Sequence, residues 1–479
     1  MRKPARIVLL AALLCAIVAA LVLFASGRGE REALAAYQAR LRADGEKLSL
    51  EELGFPRRPI EAPALGRLLA GTFQLGQVEF HPGQLKLMEF VVPGRGQVCW
   101  DTNTVGPAGN WGTKVEPPTW AEFLAQMAQR ESAFKEIRAA LHDPPSYWFW
   151  DASAYPDLPS PPFGELRKAA QWLSGDTMAA LHAGQLPRAH ADLHALTQLV
   201  QLHREDLLLI SQMIRAAIGN LSLRVTWEAL QARGWSEVQL AALQQDWEAV
   251  DFLAAAETGL TGSRAVVVKG FESVRTEKGE SPYWTDSGAR ENVLGNLIIG
   301  PYYRAHLAGD EQLALEQFQL SLSAVRRLRQ GQAWPAVESQ LNEQAAEFQA
   351  LIQHPIKKYR HLFSGIVIPN TAKVSKAAIR NETLRRLTVT AIALERHLLR
   401  HGKYPPELAQ LAPEILSLTP LDPMSGQVLR YRLNADGTYT LYSIGEDGRD
   451  DSGDAQPWSG TNRFELWETR DVVWPSRAD

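Results

Sequence analysis

Apolar and polar residues alternate along most of this chain with the period of an α-helix. Residues 30–45 form a first candidate helix that ends at a glycine, and residues 118–141 form a second that ends before Asp-Pro-Pro. The stretch 163–260 is helical with short breaks, and the pattern resumes over 308–353. Short turns between such segments are typical of antiparallel helical hairpins. We therefore predict a mainly α fold, either a helical bundle or an irregular helical-repeat body.

The C-terminal part changes to a mixed pattern. Residues 384–405 predict an amphipathic helix that ends at Gly402 before two prolines. The segments VLRYRL and TYTLYS then alternate in strand fashion around the turn sequence Asn-Ala-Asp-Gly at 434–437, which predicts a β-hairpin. This part is predicted to be a small α+β module.

The N-terminal part is apolar without a charge from Ile7 to Ala25, nineteen residues that nearly match the length of a helix crossing a bilayer. Arg2, Lys3 and Arg6 precede this run, which favours a cytoplasmic N-terminus. We expect one transmembrane helix in the bacterial cytoplasmic membrane, with the C-terminal part facing the periplasm or the exterior. A cleaved signal peptide is the alternative.

These patterns divide the chain into four predicted parts. Residues 1–27 are the membrane anchor or signal peptide, and 28–160 are a membrane-proximal helix followed by a mixed irregular region. Residues 161–375 are the helical body, and 376–479 are the α+β module.

Charge and cysteine content narrow the function classes. The chain has 50 basic and 54 acidic residues, a net charge of -4, so no global field attracts nucleic acid. Of the two cysteines, Cys15 lies in the apolar run, which leaves Cys99 without an intrachain disulfide partner. We predict that Cys99 is buried.

An acidic loop follows the predicted hairpin. The segment IGEDGRDDSGD places carboxylates between glycines, and Ca²⁺ takes six to eight oxygen ligands from such groups. The order of HGKYP, LDPMSG, the hairpin and this loop, over about 380–460, resembles the globular domain of the major pseudopilins of type II secretion systems. The resemblance implies a structural calcium ion with ligands among Ser443, Asp447, Asp450, Asp451 and Asp454. A solvated acidic turn without metal is the alternative.

The chain also departs from that family. The apolar run has no glycine before it and no acidic residue within it, and about 350 residues separate it from the pseudopilin-like helix. We therefore expect that the chain is not processed or polymerised as a pilus subunit. As a whole it resembles bacterial membrane-anchored proteins of unassigned role.

Catalytic motifs have little support in the sequence. His190 and His194 stand four residues apart and His203 follows, a spacing that suits Zn²⁺, but alanine stands where a zinc protease has glutamate. Nucleophile elbows and phosphate-binding loops are not found in a suitable context. We expect packed, polar-face histidines.

The expected function is binding or assembly without catalysis, outside the cytoplasm and associated with secretion or the cell envelope. The alternative is an extracytoplasmic hydrolase with its cleft in the helical body, lined by the aromatic segment Tyr147–Tyr155. Carboxylates or histidines converging in a deep pocket would favour the hydrolase, whereas a broad groove without them would favour the binding protein.

The calcium hypothesis makes a direct prediction. Ca²⁺ should bind at one site and raise the melting temperature, and Asp447→Ala or Asp454→Ala should loosen the C-terminal module while the helical body stays folded. Calorimetric titration, with melting in calcium and in chelator, measures this. Equal melting of variants and parent in excess calcium contradicts it.

Overall fold

A computed structural model describes residues 24–54, 63–76, 85, 87–105, 109–110, 113–114, 118–142, 144, 162–276, 300–368, 370–458 and 465–478. The predicted span lies outside them except for its last two residues, and so does the aromatic segment 147–155. Within the described residues, no helix has both the length and the apolar character needed to cross a membrane.

The described chain is mainly helical, as the sequence predicts. Its helices are α1 (residues 24–43), α2 (Pro63–Gln74), α3 (Trp120–Ala128), α4 (Glu131–His142), α5 (Phe163–His182), α6 (Leu186–Gln201), α7 (Leu209–Leu230), α8 (Glu237–Glu248), α9 (Phe252–Thr276), α10 (Gly300–Arg329), α11 (Trp334–Gln353), α12 (Leu362–Val367) and α13 (Thr371–His401). Consecutive helices from α5 to α7 pack on one another, which is the predicted hairpin arrangement.

Small sheets complete the fold. The strands are β1 (Met88–Val92), β2 (Arg95–Val98), β3 (Gly109–Asn110), β4 (Thr113–Lys114), β5 (Arg430–Leu433), β6 (Tyr439–Ser443), β7 (Val472–Val473) and β8 (Ser476–Arg477). Their orders are β1-β2-β8, β3-β4 and β5-β6-β7. The predicted hairpin is present, with Arg430 opposite Tyr442 and Leu433 opposite Tyr439.

Helix α13 belongs to both the helical body and the C-terminal module. It starts at Thr371, thirteen residues before the predicted start at 384, and packs on α7, α8 and α9 as well as β6. Leu387 and Ile392 of α13 lie in one hydrophobic core with Leu441 and Val472 of the module. The first turns of α13 were not predicted because their apolar face consists mostly of small residues that alternate with polar ones.

Glycines let α9 approach both α7 and the residues just before α7 closely. A Cβ atom on Gly219 would lie 2.4 Å from Cζ of Phe252, and one on Gly262 would lie 1.9 Å from the carbonyl oxygen of Leu207. Real Cβ atoms do not come so close to other atoms. Both positions therefore need glycine for this packing.

The C-terminal residues join the sheet formed by β1 and β2. Strand β8 pairs in parallel with β2. The indole nitrogen of Trp227 donates a hydrogen bond to the carbonyl oxygen of Pro475 at 2.9 Å, and Gly96 leaves space for the indole ring. Cys99, directly after β2, is buried as predicted.

A buried carboxylate fastens the segment after α1 to the helical body. Glu46 accepts hydrogen bonds from Arg264 at 2.8 Å and Gln319 at 3.0 Å, and Arg326 also bonds to it. Arg264 is fully buried. Burial alone would raise the pKa of Glu46, but the hydrogen bonds from Arg326, Gln319 and Arg264 outweigh it and lower the pKa to about 2.

We predict that Glu46→Gln lowers the free energy of unfolding by about 3 kcal/mol at neutral pH, because it leaves the charge of Arg264 buried without its counter-charge. The folded-state pKa lies below the ordinary value of 4.5, so the stabilisation is present above pH 4.5 and is lost as pH falls towards 2. Denaturant titrations at several pH values measure both effects.

Glu32→Gln is the matched control, since Glu32 pairs with Arg28 on the exposed side of α1. It should cost less than about 0.5 kcal/mol. Equal losses for the two variants, or a loss for Glu46→Gln that does not depend on pH, would contradict the assignment.

Candidate functional site

An open groove of about 560 Å³ lies between α7, α9 and the first turns of α13. Met213, Ala216 and Ala217 contribute from α7, and Ala377 and Ala378 contribute from α13. On α7 the two alanines stand between Met213 and Asn220 at the i, i+3, i+4, i+7 spacing of one helix face, and Ala377 stands in the same way between Lys373 and Arg380 on α13. Because the alanine side chains are short, the helices leave space between them that larger apolar residues would fill.

Polar contacts that are at least partly buried hold the helices around the groove together. The side-chain amide of Asn220 donates to Oδ1 of Asn381 at 3.1 Å, and the amide of Asn381 donates to the carbonyl oxygen of Ala216 at 3.0 Å. On α13, Glu382 accepts from the backbone N–H of Phe252 at 3.2 Å. These bonds hold α13 against α7 and α9, so the groove is preorganised in the folded chain.

Three basic residues of α13 form the rim of the groove. Lys373, Lys376 and Arg380 recur along one side of the helix, and Lys373 is exposed. Lys376 lies 2.9 Å from Glu446 and 3.1 Å from Glu338. Burial alone would lower the pKa of Lys376, but these two ion pairs outweigh it and raise the pKa.

The groove continues past Trp467 into a second cavity of about 370 Å³. Asn220, Arg380 and Trp467 line both cavities, and the guanidinium of Arg380 stands 5.3 Å from the centre of the Trp467 ring. Met88 and Arg224 line the far end. The two cavities therefore form one groove along α13, with an apolar floor and cations along its edge.

The ionisable side chains of the larger cavity are all basic in the part of the chain that the structure describes. Among the described residues that line the larger cavity, none carries a carboxylate, an imidazole, a thiol or a hydroxyl group. The smaller cavity adds only Glu465 and Glu468, both exposed. The ionisable side chains that line the larger cavity are the amines of Lys373 and Lys376 and the guanidinium of Arg380.

The five predicted calcium ligands have separate partners. Asp450 pairs with Arg430 at 2.8 Å and accepts from the hydroxyl of Tyr442 at 3.0 Å, and Asp454 pairs with Arg470 at 2.8 Å. The remaining contacts are local: Asp447 accepts from the backbone N–H of Arg449, the N–H of Asp451 donates to Asp471, and Ser443 donates to Asp422 at 2.7 Å. The four aspartates lie in the loop after β6, and Ser443 is the last residue of that strand.

Asp471, which the sequence analysis missed, organises this loop. Its carboxylate accepts from the backbone N–H groups of Gly453 at 2.7 Å, Asp454 at 3.2 Å and Asp451 at 3.4 Å. Burial, together with repulsion from Asp450 and Asp451, raises the pKa of Asp471 to about 6 although the N–H groups oppose this. The one sequence signal is an acidic residue directly before the short strand Val472–Val473.

Metal binding remains a prediction. The described parts of the chain hold no group of three or more histidine, cysteine, aspartate and glutamate side chains arranged to bind a metal ion.

The histidines that suggested zinc contact helix α8 instead of each other. Nε2 of His190 lies 3.2 Å from the carbonyl oxygen of Gln239, and Nδ1 of His194 lies 2.7 Å from Oδ2 of Asp246. Burial lowers the pKa of His190, whereas the hydrogen bond to Asp246 raises the pKa of His194. His203 is buried, with Nδ1 3.6 Å from Asp206. These contacts explain the histidines as packing groups.

In comparisons with known proteins, no family model, no curated protein and no solved structure matches this chain. The pseudopilin resemblance therefore rests on the sequence of residues 380–460 alone. It remains a prediction.

We predict that Asp471→Ala, measured in chelator, lowers the unfolding free energy of the C-terminal module by about 2 kcal/mol, because three backbone N–H groups lose their acceptor. Asp447→Ala is the control, since Asp447 accepts a hydrogen bond from Arg449 within its own turn, and it should cost less than about 0.5 kcal/mol in chelator. Hydrogen exchange at residues 450–455 locates the effect. Unchanged exchange there in Asp471→Ala would show that the loop does not depend on this carboxylate.

Proposed function

We propose that this protein is a membrane-anchored binding protein outside the cytoplasm, and that its groove holds an apolar, acidic segment of a partner protein. The observation that carries the proposal is the groove between α7, α9 and α13, which combines an alanine-lined floor with a row of cations. A broad groove without converging carboxylates or histidines is the feature expected of a binding protein.

The shape of the groove favours a protein segment. Lys373 and Arg380 are seven residues apart on α13, a distance of about 10 Å along the helix axis. Met213 is exposed at the open side, where methionine adapts to different apolar partners. An amphipathic helix laid into a groove uses apolar anchors spaced over several turns and charged groups along one edge.

The charge of the rim favours an acidic segment. Glu446 and Glu338 balance Lys376 and Arg380 in part. Lys373 has no carboxylate within ion-pair distance among the described residues. A partner carboxylate near Lys373 would complete the pairing without displacing an existing contact.

The sequence supports the remaining parts of the proposal. The apolar run from Ile7 to Ala25 supports the anchor, and the resemblance of residues 380–460 to pseudopilins supports a role in assembly at the cell envelope. The same resemblance supports calcium as a structural ion of the acidic loop. Calcium would then compete with Arg430 and Arg470 for Asp450 and Asp454.

The hydrolase alternative needs a pair of accessible acids. The neighbouring carboxylates of Asp176 and Asp192 are fully buried and both are bonded to Arg138, with Arg188 also bonded to Asp176. Burial and the neighbouring Asp176 raise the pKa of Asp192 although Arg138 opposes this. Because these groups link α4, α5 and α6 inside the core, they explain packing and give the hydrolase no specific support.

A site-specific photo-crosslinker at Met213 tests the proposal in cells that make the full chain. We expect a discrete cross-linked partner whose attached segment, identified by mass spectrometry, is apolar and acidic. Ala217→Trp should abolish the product by filling the groove, and Lys373→Glu should weaken it at least about fivefold.

Ala35→Trp is the matched control, an exposed alanine on α1 outside the groove, and it should leave the product unchanged. A crosslinker at Val238 on α8, which is 78% exposed, reports non-specific contacts. The same product from Val238, or a product that survives Ala217→Trp, would refute the groove as the binding site.

A further inference from the structure

The chain enters the described fold beside the first residues of α10. A Cβ atom on Gly27 would lie 2.6 Å from the carbonyl oxygen of Ala305, so α1 and α10 touch at this point. Glu30 lies 2.6 Å from Nδ1 of the buried His306. The end of the molecule that follows the apolar run is therefore fixed, and it contains the start of α10.

The segment between α11 and α13 packs at the same end. Arg360 donates a hydrogen bond to the hydroxyl of Tyr302 at 2.9 Å. The backbone N–H of Phe363 donates to the carboxylate of Asp310 at 3.1 Å, and the hydroxyl of Ser364 donates to the carbonyl oxygen of Asp310 at 2.9 Å. Residues 354–368 are thus held across the first turns of α10.

This end of the molecule is both apolar and basic. Three large apolar side chains are exposed here: Phe24 to 65%, Ile356 to 69% and Ile366 to 61%. Residues 354–370 contain no aspartate or glutamate. Within the described chain, Lys357, Lys358 and Arg360 have no carboxylate at ion-pair distance.

We propose that these six residues form a membrane-facing surface that rests on the anionic headgroups of the membrane entered by the apolar run. The surface consists of Phe24, Ile356, Lys357, Lys358, Arg360 and Ile366. The inference rests on the anchor in the proposed function and adds to it a second, independent contact with lipid.

Position and charge select lipid as the occupant. Phe24 belongs to the last residues of the apolar run, so a surface that packs beside α1 at this point lies within a few residues of the bilayer. Basic side chains are attracted to anionic headgroups, and apolar side chains among them insert at the boundary of headgroups and acyl chains. A protein partner would have to fit into the same narrow space.

The full chain, reconstituted into vesicles with about 30% phosphatidylglycerol, allows a direct test. An environment-sensitive NBD label is attached to Ile356→Cys or Ile366→Cys in a Cys15→Ala background, with the background protein as a blank for Cys99. Nitroxide groups on shallow lipid positions quench the label where it touches the membrane.

Val238→Cys is the control, because Val238 is at least as exposed as the two isoleucines but lies on α8, beside the other end of α13. Its neighbour Glu237 pairs with Arg396 at 2.7 Å, and α13 has 31 residues, a length of about 46 Å. We expect at least about threefold more quenching at Ile356 and Ile366 than at Val238. Lys357→Gln with Lys358→Gln should reduce that difference at least about twofold in anionic vesicles and leave Val238 unchanged.

The test distinguishes failure of the proposed anchor from failure of the membrane-facing surface. If the chain does not float with the vesicles, the anchor is wrong, and the proposed location fails together with this inference. If the chain floats but all three labels are quenched equally, only the membrane-facing surface is refuted. If the lysine substitutions do not change the quenching, the proposal that this surface recognises anionic lipid is refuted.

Discussion

The buried carboxylate of Glu382 is the interaction on which the remaining architecture depends. It lies on α13 and is fully buried, and burial alone would raise its pKa, yet the cations of Arg385 and Arg386 outweigh this and lower the pKa. The same carboxylate accepts from the backbone N–H of Phe252, and Arg385 donates to the carbonyl oxygen of Trp247. One ion cluster therefore fastens α13 to the corner between α8 and α9.

Ion pairs between Glu446 and helix α13 join the acidic loop to the groove. Glu446 begins the run of acids and pairs with Lys376 and Arg380 on the groove rim. The later acids Asp450 and Asp454 pair with arginines of the module itself. The loop can contain so many carboxylates because Glu446, Asp450 and Asp454 each have a basic partner elsewhere in the fold. Through Glu446 the loop also positions Lys376 and Arg380, two of the rim cations.

Local features of the fold could be predicted from the sequence, whereas long-range pairings could not. The helical body and the hairpin follow from periodicity and from a strong turn sequence, both of which act over few residues. Asp471 accepts a hydrogen bond from the backbone N–H of Asp451, which lies 20 residues away. No local sequence pattern indicates a pair so far apart. Asp422 was missed for the same reason, since it accepts from Ser443 across 21 residues.

The groove was missed because it is a space between helices, and a sequence shows side chains but not the gaps between them. Small side chains on helix faces usually indicate close packing, and the alanine pairs of α7 and α13 instead border an opening. The observable hint is the row of Lys373, Lys376 and Arg380 beside those alanines. Charged residues are rarely found on a fully packed helix face, so this row indicates that the face is partly open.

The two proposed surfaces adjoin at the connection between α12 and α13. Ile366 belongs to the membrane-facing surface, and Lys373, seven residues later, begins the groove rim. An acidic segment is repelled by anionic lipid, so it approaches such a membrane only where cations compensate its charge. Lys373 supplies that compensation next to the apolar floor of the groove. The geometry would therefore select acidic segments that are themselves held near the membrane, since those reach the groove at high local concentration.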